Sequence, residues 1–260
     1  MRIRATVAAV SGALALSALA VPAAHAATAG PNVTFSAMKV NGGKALSLGA
    51  TTTAKVKATY TVTHPSTVSL AGVDTGPVLY RGTSAKDADT QVISDDPGTC
   101  TTVNSTTANC TATITLPASE LYNSDAGTWK TGGLAVDKKT QAPTWQNDLG
   151  TLPVRRLAKL TADAAPEPVK KGRTLTVTGT LTRANWETGK YAGFGGQSVK
   201  LQFRKAGTTT YTTLKTVTSS STGALKTTVT AGSDGYYRYS FAGTSTTSSV
   251  SATGDYVDVQ

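Results

Sequence analysis

The sequence predicts an all-β protein, and three observations lead to that fold class. Apolar and polar residues alternate over many short stretches, which is typical of half-buried antiparallel strands. Small hydroxyl side chains are abundant, with 48 Thr and 21 Ser among 260 residues, and threonine is enriched in strands. Gly- and Ser-rich breaks separate these stretches, and none has the period of an amphipathic helix. Charged residues make up only 15% of the chain, which excludes a coiled coil and a charge-rich disordered chain.

The first 26 residues have the pattern of a secretory signal peptide. Arg2 and Arg4 precede an apolar run, Ala5–Val21, which Pro22 ends. The following Ala24–Ala26 fits the small-x-small pattern of a cleavage site. We therefore expect cleavage after residue 26 and a secreted, extracellular protein without a membrane span.

Residues 27–156 are predicted to form the first of two consecutive β-sandwich domains. The only two cysteines, Cys100 and Cys110, lie in this part of the chain. Because their number is even and an exported chain meets an oxidising environment, we expect one disulfide between them. The candidate strands are Val33–Phe35, Lys55–Thr63, Thr99–Asn104, Thr107–Leu116, Gly133–Asp137 and Gly150–Val154.

Residues 157–260 are predicted to form the second domain, after a stiff passage at Ala164–Pro168. The stretch Thr174–Thr182 places apolar residues on one face and threonines on the other. Ser198–Arg204 directs Val199, Leu201 and Phe203 inward and Lys200, Gln202 and Arg204 outward, and residues 225–230 and 236–241 continue the pattern. About seven short strands in about 100 residues are typical of an immunoglobulin-like sandwich.

A weak internal repeat supports two related domains. Asp125–Trp129 and Ser233–Tyr237 share a Gly-x-aromatic element, which resembles the tyrosine corner of immunoglobulin-like sandwiches and would place that tyrosine at Tyr237. Five stretches spread over the second domain carry a resemblance to a known family: Thr176–Gly179, Gly196–Phe203, Thr222–Leu225, Gly235–Tyr239 and Phe241–Thr244. Through them residues 157–260 resemble the bacterial immunoglobulin-like domains of secreted actinobacterial proteins. The resemblance implies an extracellular binding module, spacer or surface protein, usually without catalysis.

The sequence does not favour an enzyme, and it offers no catalytic residues. Cleavage of the signal would leave His64 as the only histidine, and no carboxylate lies between Ala27 and Thr63 to complete a Ser-Asp-His order. His64 precedes Pro65, which is typical of a turn. One histidine and two disulfide-bonded cysteines are too few soft ligands for a zinc site.

Four aspartates in one predicted loop are candidate metal ligands. Asp87, Asp89, Asp95 and Asp96 lie between Ser84 and Gly98. Carboxylate oxygens are the ligands that Ca²⁺ prefers, although the spacing is not that of an EF-hand. A solvated loop without metal is the competing interpretation. Calcium is therefore a possible cofactor, and no other cofactor is expected.

Aromatic residues in predicted loops are candidate sugar-binding groups. Trp145 lies in the polar stretch 143–148, and Trp186, Tyr191 and Phe194 lie in the stretch 185–196. An apolar ring beside amides suits a shallow glycan platform, although Trp186 at a strand end also fits a core position. Lys170, Lys171 and Arg173 would add positive charge.

Positive charge suggests a polyanionic partner. Residues 157–260 hold 12 Lys and Arg against 6 Asp and Glu, a net charge of +6. No basic run is present, so specific nucleic-acid recognition is not expected. The leading hypothesis is a non-catalytic secreted module that binds cell-wall or other acidic or environmental polysaccharide. The alternatives are a structural spacer without a ligand and a calcium-dependent extracellular module.

Overall fold

The computed structural model describes residues 29–260, so the signal peptide predicted at residues 1–26 lies outside the described residues. Residues 29–260 form β-strands and four single-turn 3₁₀ segments, with no α-helix among them. No helix in this part of the chain is long and apolar enough to cross a membrane. The 3₁₀ segments are Asn41–Gly43, Leu70–Gly72, Ala118–Glu120 and Asn123–Asp125.

The chain divides into two compact units that are built from alternating segments. Several strands begin in one unit and end in the other, so the units do not follow a single division of the sequence. The domain boundary predicted at residue 156 stays a proposal. Among the described residues, the first unit holds residues 29–42, Lys57–Ile114 and Lys130–Thr151, and the second holds Gly43–Val56, Thr115–Trp129 and Leu152–Gln260.

Two sheets are formed by the strands before residue 157. One sheet has the strand order β1-β3-β7-β6, and the other has the order β2-β9-β8-β4-β5. The strands are β1 (Thr34–Val40), β2 (Leu46–Leu48), β3 (Thr53–Thr63), β4 (Val73–Arg81), β5 (Thr90–Ile93), β6 (Thr99–Asn104), β7 (Thr107–Pro117), β8 (Gly127–Asp137) and β9 (Pro143–Arg156).

The core of the first unit lies between these sheets and is organised around Phe35 and Tyr60, whose ring centres are 5.7 Å apart. Gly133 lies against the Phe35 ring, and a Cβ there would overlap it, so a glycine is required at this position. Cys100 and Cys110 face each other across β6 and β7 and form the predicted disulfide. Closing a loop with a sequence separation of 10 stabilises the fold by about 2–3 kcal/mol.

The sequence prediction missed part of the second of these sheets. All six predicted strands overlap observed strands, but β2, β4 and β5 were not predicted. The stretch 143–148, predicted as a polar loop, is the beginning of β9. Gly76 and Pro77 look like turn residues, but they lie within β4. The strand accommodates them because β5 pairs with β4 only from Val78 onward. The missing N–H of Pro77 therefore lies where the ladder ends, and its carbonyl still accepts a hydrogen bond from Ser94.

Two further sheets are formed by the strands after residue 157. In one, β12 pairs with β10, β11, β13 and β16, and the other has the order β15-β14-β17-β18 with β19 also paired to β17. The strands are β10 (Ala158–Leu160), β11 (Asp163–Ala165), β12 (Thr174–Asn185), β13 (Lys190–Gly193), β14 (Ser198–Lys205), β15 (Thr212–Thr218), β16 (Ala224–Thr230), β17 (Gly235–Phe241), β18 (Val250–Ser251) and β19 (Asp255–Val257).

A buried tyrosine ties these two sheets together. Tyr239 is 0% exposed, and its hydroxyl donates a hydrogen bond to the carbonyl of Val177 on the opposite sheet, at 2.9 Å. Gly179 leaves room for the Tyr239 ring, since a Cβ there would press on the ring and on a backbone carbonyl. The tyrosine corner that the sequence suggests at Tyr237 stays a prediction, because the bond from Tyr239 to Val177 joins two sheets and does not pin a loop.

The all-β immunoglobulin-like fold class is confirmed by these layers. In each of the two main cores, apolar side chains from two mainly antiparallel sheets meet in one cluster. The first cluster draws on β1, β3, β4, β7 and β8, and the second on β10, β12, β14, β16, β17 and β19. The number of domains stays a prediction.

Candidate functional site

The outward side of the sheet β15-β14-β17-β18 carries tyrosines and arginines side by side. Burial alternates along β17, where Gly235, Tyr237, Tyr239 and Phe241 are buried. The period of two therefore places the side chains between them on the opposite side of the sheet. We call the resulting surface the Arg–Tyr face. Its members are Gln202, Arg204, Tyr211, Tyr236, Arg238 and Tyr256.

The pairing register brings these side chains together. Arg204 of β14 lies opposite Tyr236 of β17, and Gln202 lies opposite Arg238. Tyr256 of β19 lies opposite Tyr236 on the other side of β17, and their ring centres are 5.1 Å apart. Each arginine therefore has an aromatic neighbour on an adjacent strand or loop.

Both guanidinium groups lie over aromatic rings. The Cζ of Arg238 is 3.6 Å from the centre of the Tyr211 ring, and the Cζ of Arg204 is 4.0 Å from that of Tyr236. Arg238 Nε also donates a hydrogen bond to Gln202 Oε1 at 2.9 Å, and Arg204 Nη1 donates one to a backbone carbonyl. These contacts restrict the rotamers of both arginines, so less conformational entropy is lost when they bind a ligand.

The charges on this face are not neutralised by neighbouring carboxylates. In the described part of the chain, neither Arg204 nor Arg238 forms a salt bridge with an acidic side chain. A hydrogen bond with Tyr211 raises the pKa of Arg204, which therefore stays charged. Beside Tyr256 on β19, burial, Asp234 and Asp258 raise the pKa of the tyrosine.

A shallow groove extends the Arg–Tyr face toward the other end of the sheet. It has a volume of about 350 Å³ and shares Gln202 with the face. Lys200 and Ser240 both line the groove, and they are cross-strand partners. The face and the groove together form a strip that offers an aromatic end and a polar, cationic end.

Trp186 is not available to stack on a sugar. It is 2% exposed, and its Nε1 donates a hydrogen bond to the carbonyl of Leu48 at 3.3 Å. Its backbone N–H is bound by the side chain of Asn123. The residue therefore occupies the core position that the sequence left open as an alternative.

The other predicted aromatic residues have their rings largely covered. Phe194 is buried against Phe241, and the Cζ of Arg183 lies 3.9 Å from its ring centre. Tyr191 is half-buried, and Lys159 Nζ lies 3.8 Å from its ring centre. Trp145 is half-buried in β9, where it packs on the small cluster of Val78, Tyr80 and Ala85. Packing contacts therefore occupy each of these rings.

The four aspartates do not converge on one metal ion. Asp87 and Asp89 precede β5, whereas Asp95 and Asp96 follow it. The strand between them has 4 residues and spans roughly 13 Å, whereas calcium ligands all lie about 2.5 Å from the ion. Within residues 29–260, no group of three or more His, Cys, Asp or Glu side chains could hold a metal ion. The shared calcium site suggested by their closeness in sequence is therefore not assembled.

Two of these aspartates border an apolar cleft in the first unit. The cleft has a volume of about 230 Å³ and lies beside Ile93, Leu134 and Val136, with Asp95 and Asp96 at its edge. It contains neither an unpaired cation nor an exposed aromatic side chain. It therefore lacks the features that distinguish the Arg–Tyr face.

The Arg–Tyr face was missed by sequence reasoning although part of its signal was present. Alternation predicted that Lys200, Gln202 and Arg204 point outward. Alternation within one strand does not identify the strand that pairs with it. Arg204 and Tyr236 are 32 positions apart in sequence and meet only through the register of β14 and β17. Tyr211 could not be assigned because it precedes its strand and lies outside any alternating pattern.

No protein-family model matches the chain, and no curated protein is similar to it in sequence. Solved structures with a similar strand arrangement include FdeC, an Escherichia coli adhesin, with 14% identity over 89% of this chain and a TM-score of 0.37. This chain covers 65% of the FdeC chain.

Two others are a marsupial T cell receptor and the fibronectin(III)-like modules of Clostridium thermocellum CbhA. The receptor has 14% identity over 86% of this chain and 72% of its own, with a TM-score of 0.38. The CbhA modules have 12% identity over 85% of this chain and 92% of their own, with a TM-score of 0.29. At these scores the matches say nothing about a ligand, so the functional argument depends on the residues of this chain.

Proposed function

We propose that the protein is a non-catalytic, extracellular binding module that holds polysaccharide on the Arg–Tyr face. The observation that carries this proposal is an exposed tyrosine, Tyr256, whose ring contacts Tyr236 on a sheet face that also carries an amide and two guanidinium groups. Tyr256 is 41% exposed. A sugar ring presents an apolar face and a rim of hydroxyls, and it binds well to an aromatic side chain surrounded by polar groups.

The position of these residues supports recognition of a polymer rather than of a small molecule. Sheet faces are flat and wide, whereas small-molecule sites are usually concave and apolar. The face follows β17 from Tyr236 to its end at Phe241, and the groove continues past that end. At about 3.3 Å per residue, the part along β17 is roughly 17 Å, which is longer than one sugar unit.

Retention on insoluble polymers tests the proposal. Purified protein is incubated with insoluble cell wall, chitin and cellulose, and the polymers are washed at low and high salt. We expect retention on at least one polymer and its loss in Tyr256→Ala, with an unchanged melting temperature. Tyr122→Ala is the matched control, because Tyr122 is 47% exposed and lies far along the chain from the face.

Each outcome separates the proposal from the alternatives. If no polymer retains the protein, the face does not bind these polysaccharides and the structural spacer becomes the better hypothesis. If Tyr122→Ala weakens retention as much as Tyr256→Ala, binding does not depend on the face. A melting temperature that falls on chelation would instead indicate a calcium-dependent module.

A further inference from the structure

We infer that the Arg–Tyr face selects anionic polysaccharide, whose carboxylate, sulfate or phosphate groups bind to Arg204, Arg238 and Lys200. This inference rests on the proposed function and adds the chemical class of the ligand. It begins from the two guanidinium groups, each of which lies over a tyrosine ring. Arg204 donates one hydrogen bond to a backbone carbonyl and Arg238 one to Gln202, and no acidic side chain in the described residues forms a salt bridge with either.

A guanidinium held in this way is suited to an oxyanion. Its planar fork of N–H donors matches the two oxygens of a carboxylate, sulfate or phosphate group. The tyrosine ring fixes the plane of the guanidinium, and Gln202 fixes Arg238 further through its Nε. A neutral sugar offers only hydroxyls, which form weaker hydrogen bonds with a charged donor than an anion does.

The spacing of the positive charges points to a polymer. Arg204 and Arg238 occupy diagonal positions on neighbouring strands, and such positions are roughly 7–8 Å apart. Lys200 lies on β14 four residues from Arg204, at a distance of roughly 13 Å. The three cations therefore follow the direction of the strands, as the anionic groups of an extended chain would.

Charge is distributed unevenly across the strands of the face. Asp234 and Asp258 act on Tyr256 and disfavour an anionic group on the β19 side of β17. Arg204 and Lys200 lie on β14, on the other side of β17, and Lys200 also borders the groove. We therefore expect the apolar side of a sugar unit at Tyr256 and the anionic groups at Arg204, Arg238 and Lys200.

A matched pair of soluble polymers tests this selection. Carboxymethylcellulose and hydroxyethylcellulose share one backbone and differ in charge, and binding of each is measured by calorimetry at physiological ionic strength. We expect binding to the anionic polymer to be at least about tenfold tighter, because charge-assisted hydrogen bonds are lost with the neutral one. The double variant Arg204→Gln/Arg238→Gln should remove this preference.

Loss of overall positive charge is controlled by a second double variant. Lys55→Gln/Lys57→Gln removes the same number of charges from exposed positions on β3, and its preference for the anionic polymer should stay within about twofold of the wild type. An equal loss in both double variants would overturn the inference, because general electrostatic attraction would then suffice.

The remaining outcomes distinguish failure of the inference from failure of the proposed function. If both polymers bind equally tightly and Tyr256→Ala abolishes binding of both, the face binds glycans but does not select for charge. The inference would then be wrong. If neither polymer binds and no insoluble polymer retains the protein, the proposed function is wrong as well. If single-stranded homopolymeric nucleic acid binds through the same arginines more tightly than the anionic polysaccharide, the assigned ligand class is wrong.

Discussion

The guanidinium of Arg238 lies over the ring of Tyr211, with its Cζ 3.6 Å from the ring centre. The two residues belong to different elements, since Arg238 is in the middle of β17 and Tyr211 directly precedes β15. Their contact therefore holds the loop before β15 against the sheet. It also presents one arginine edge at a fixed position for a ligand.

This contact has a measurable energy. In a double-mutant cycle of Arg238→Gln and Tyr211→Leu, we expect a coupling energy of about 0.5–1 kcal/mol, the range for a cation over an exposed ring. The four free energies of unfolding are obtained from urea denaturation. A coupling energy indistinguishable from zero would mean that the loop is held by other contacts.

Replacing Trp186 should destabilise the fold rather than remove a ligand contact. We expect Trp186→Ala to lower the free energy of unfolding by about 3–5 kcal/mol, because a fully buried ring is deleted. Tyr256→Ala should change it by less than about 0.5 kcal/mol, as exposed positions usually do. Both values come from denaturant titration. If a stably folded Trp186→Ala variant lost polysaccharide retention, Trp186 would be part of the sugar-binding site after all.

The hydrogen bond from Tyr239 to Val177 should contribute directly to stability. Tyr239→Phe leaves a buried carbonyl without its partner, and we expect a loss of about 1–3 kcal/mol. Tyr237→Phe is the matched control, since Tyr237 is 3% exposed and its hydroxyl forms no such bond in the described part of the chain. Calorimetric unfolding of both variants measures the difference. Equal losses would show that the bond to Val177 adds nothing beyond ring packing.

The same tyrosine should make stability depend on pH in alkaline solution. Burial raises the pKa of Tyr239 from 10.0 to about 12. The folded state therefore keeps a proton that the unfolded state loses, and this contribution is fully present below pH 10. It should fall by roughly 1.4 kcal/mol per pH unit as the pH rises from about 10 to about 12.

The measurement is the difference in unfolding free energy between wild type and Tyr239→Phe at several pH values. Other buried tyrosines titrate in both proteins and cancel in this difference. We expect the advantage of the wild type to decrease steadily above pH 10. A constant difference between pH 9 and 12 would show that Tyr239 has an ordinary pKa.

Much of the fold was predictable because its signal is local. The alternation in Thr174–Thr182 identifies an inner and an outer side of β12 without reference to any other strand, and the structure confirms that Leu175, Val177 and Leu181 are buried. The disulfide was predictable from the count of cysteines and from the turn between them. In contrast, β4 was missed because Gly76 and Pro77 are turn residues in most contexts, and their place in a strand depends on where β5 ends.

The candidate site was less predictable because its residues are distant in sequence. The sequence around Trp186 and Tyr256 does not distinguish them, since both are aromatic residues beside polar ones. One is buried against the Leu48 carbonyl and the other is exposed on β19, and only the packing of the chain distinguishes them. The grouping of Asp87 and Asp89 with Asp95 and Asp96 failed for a related reason, because the short strand between them separates the pairs.

By itself the sequence determined the all-β class, the two sides of its main strands and the Cys100–Cys110 disulfide. The tertiary structure decided which outward side chains meet. Arg204 and Tyr236 are neighbours because β14 and β17 pair in one register, and a shift of one residue would turn Tyr236 into the core. Periodicity is a property of a single strand, whereas register is set by packing between strands, so the binding surface emerged only when the chain folded.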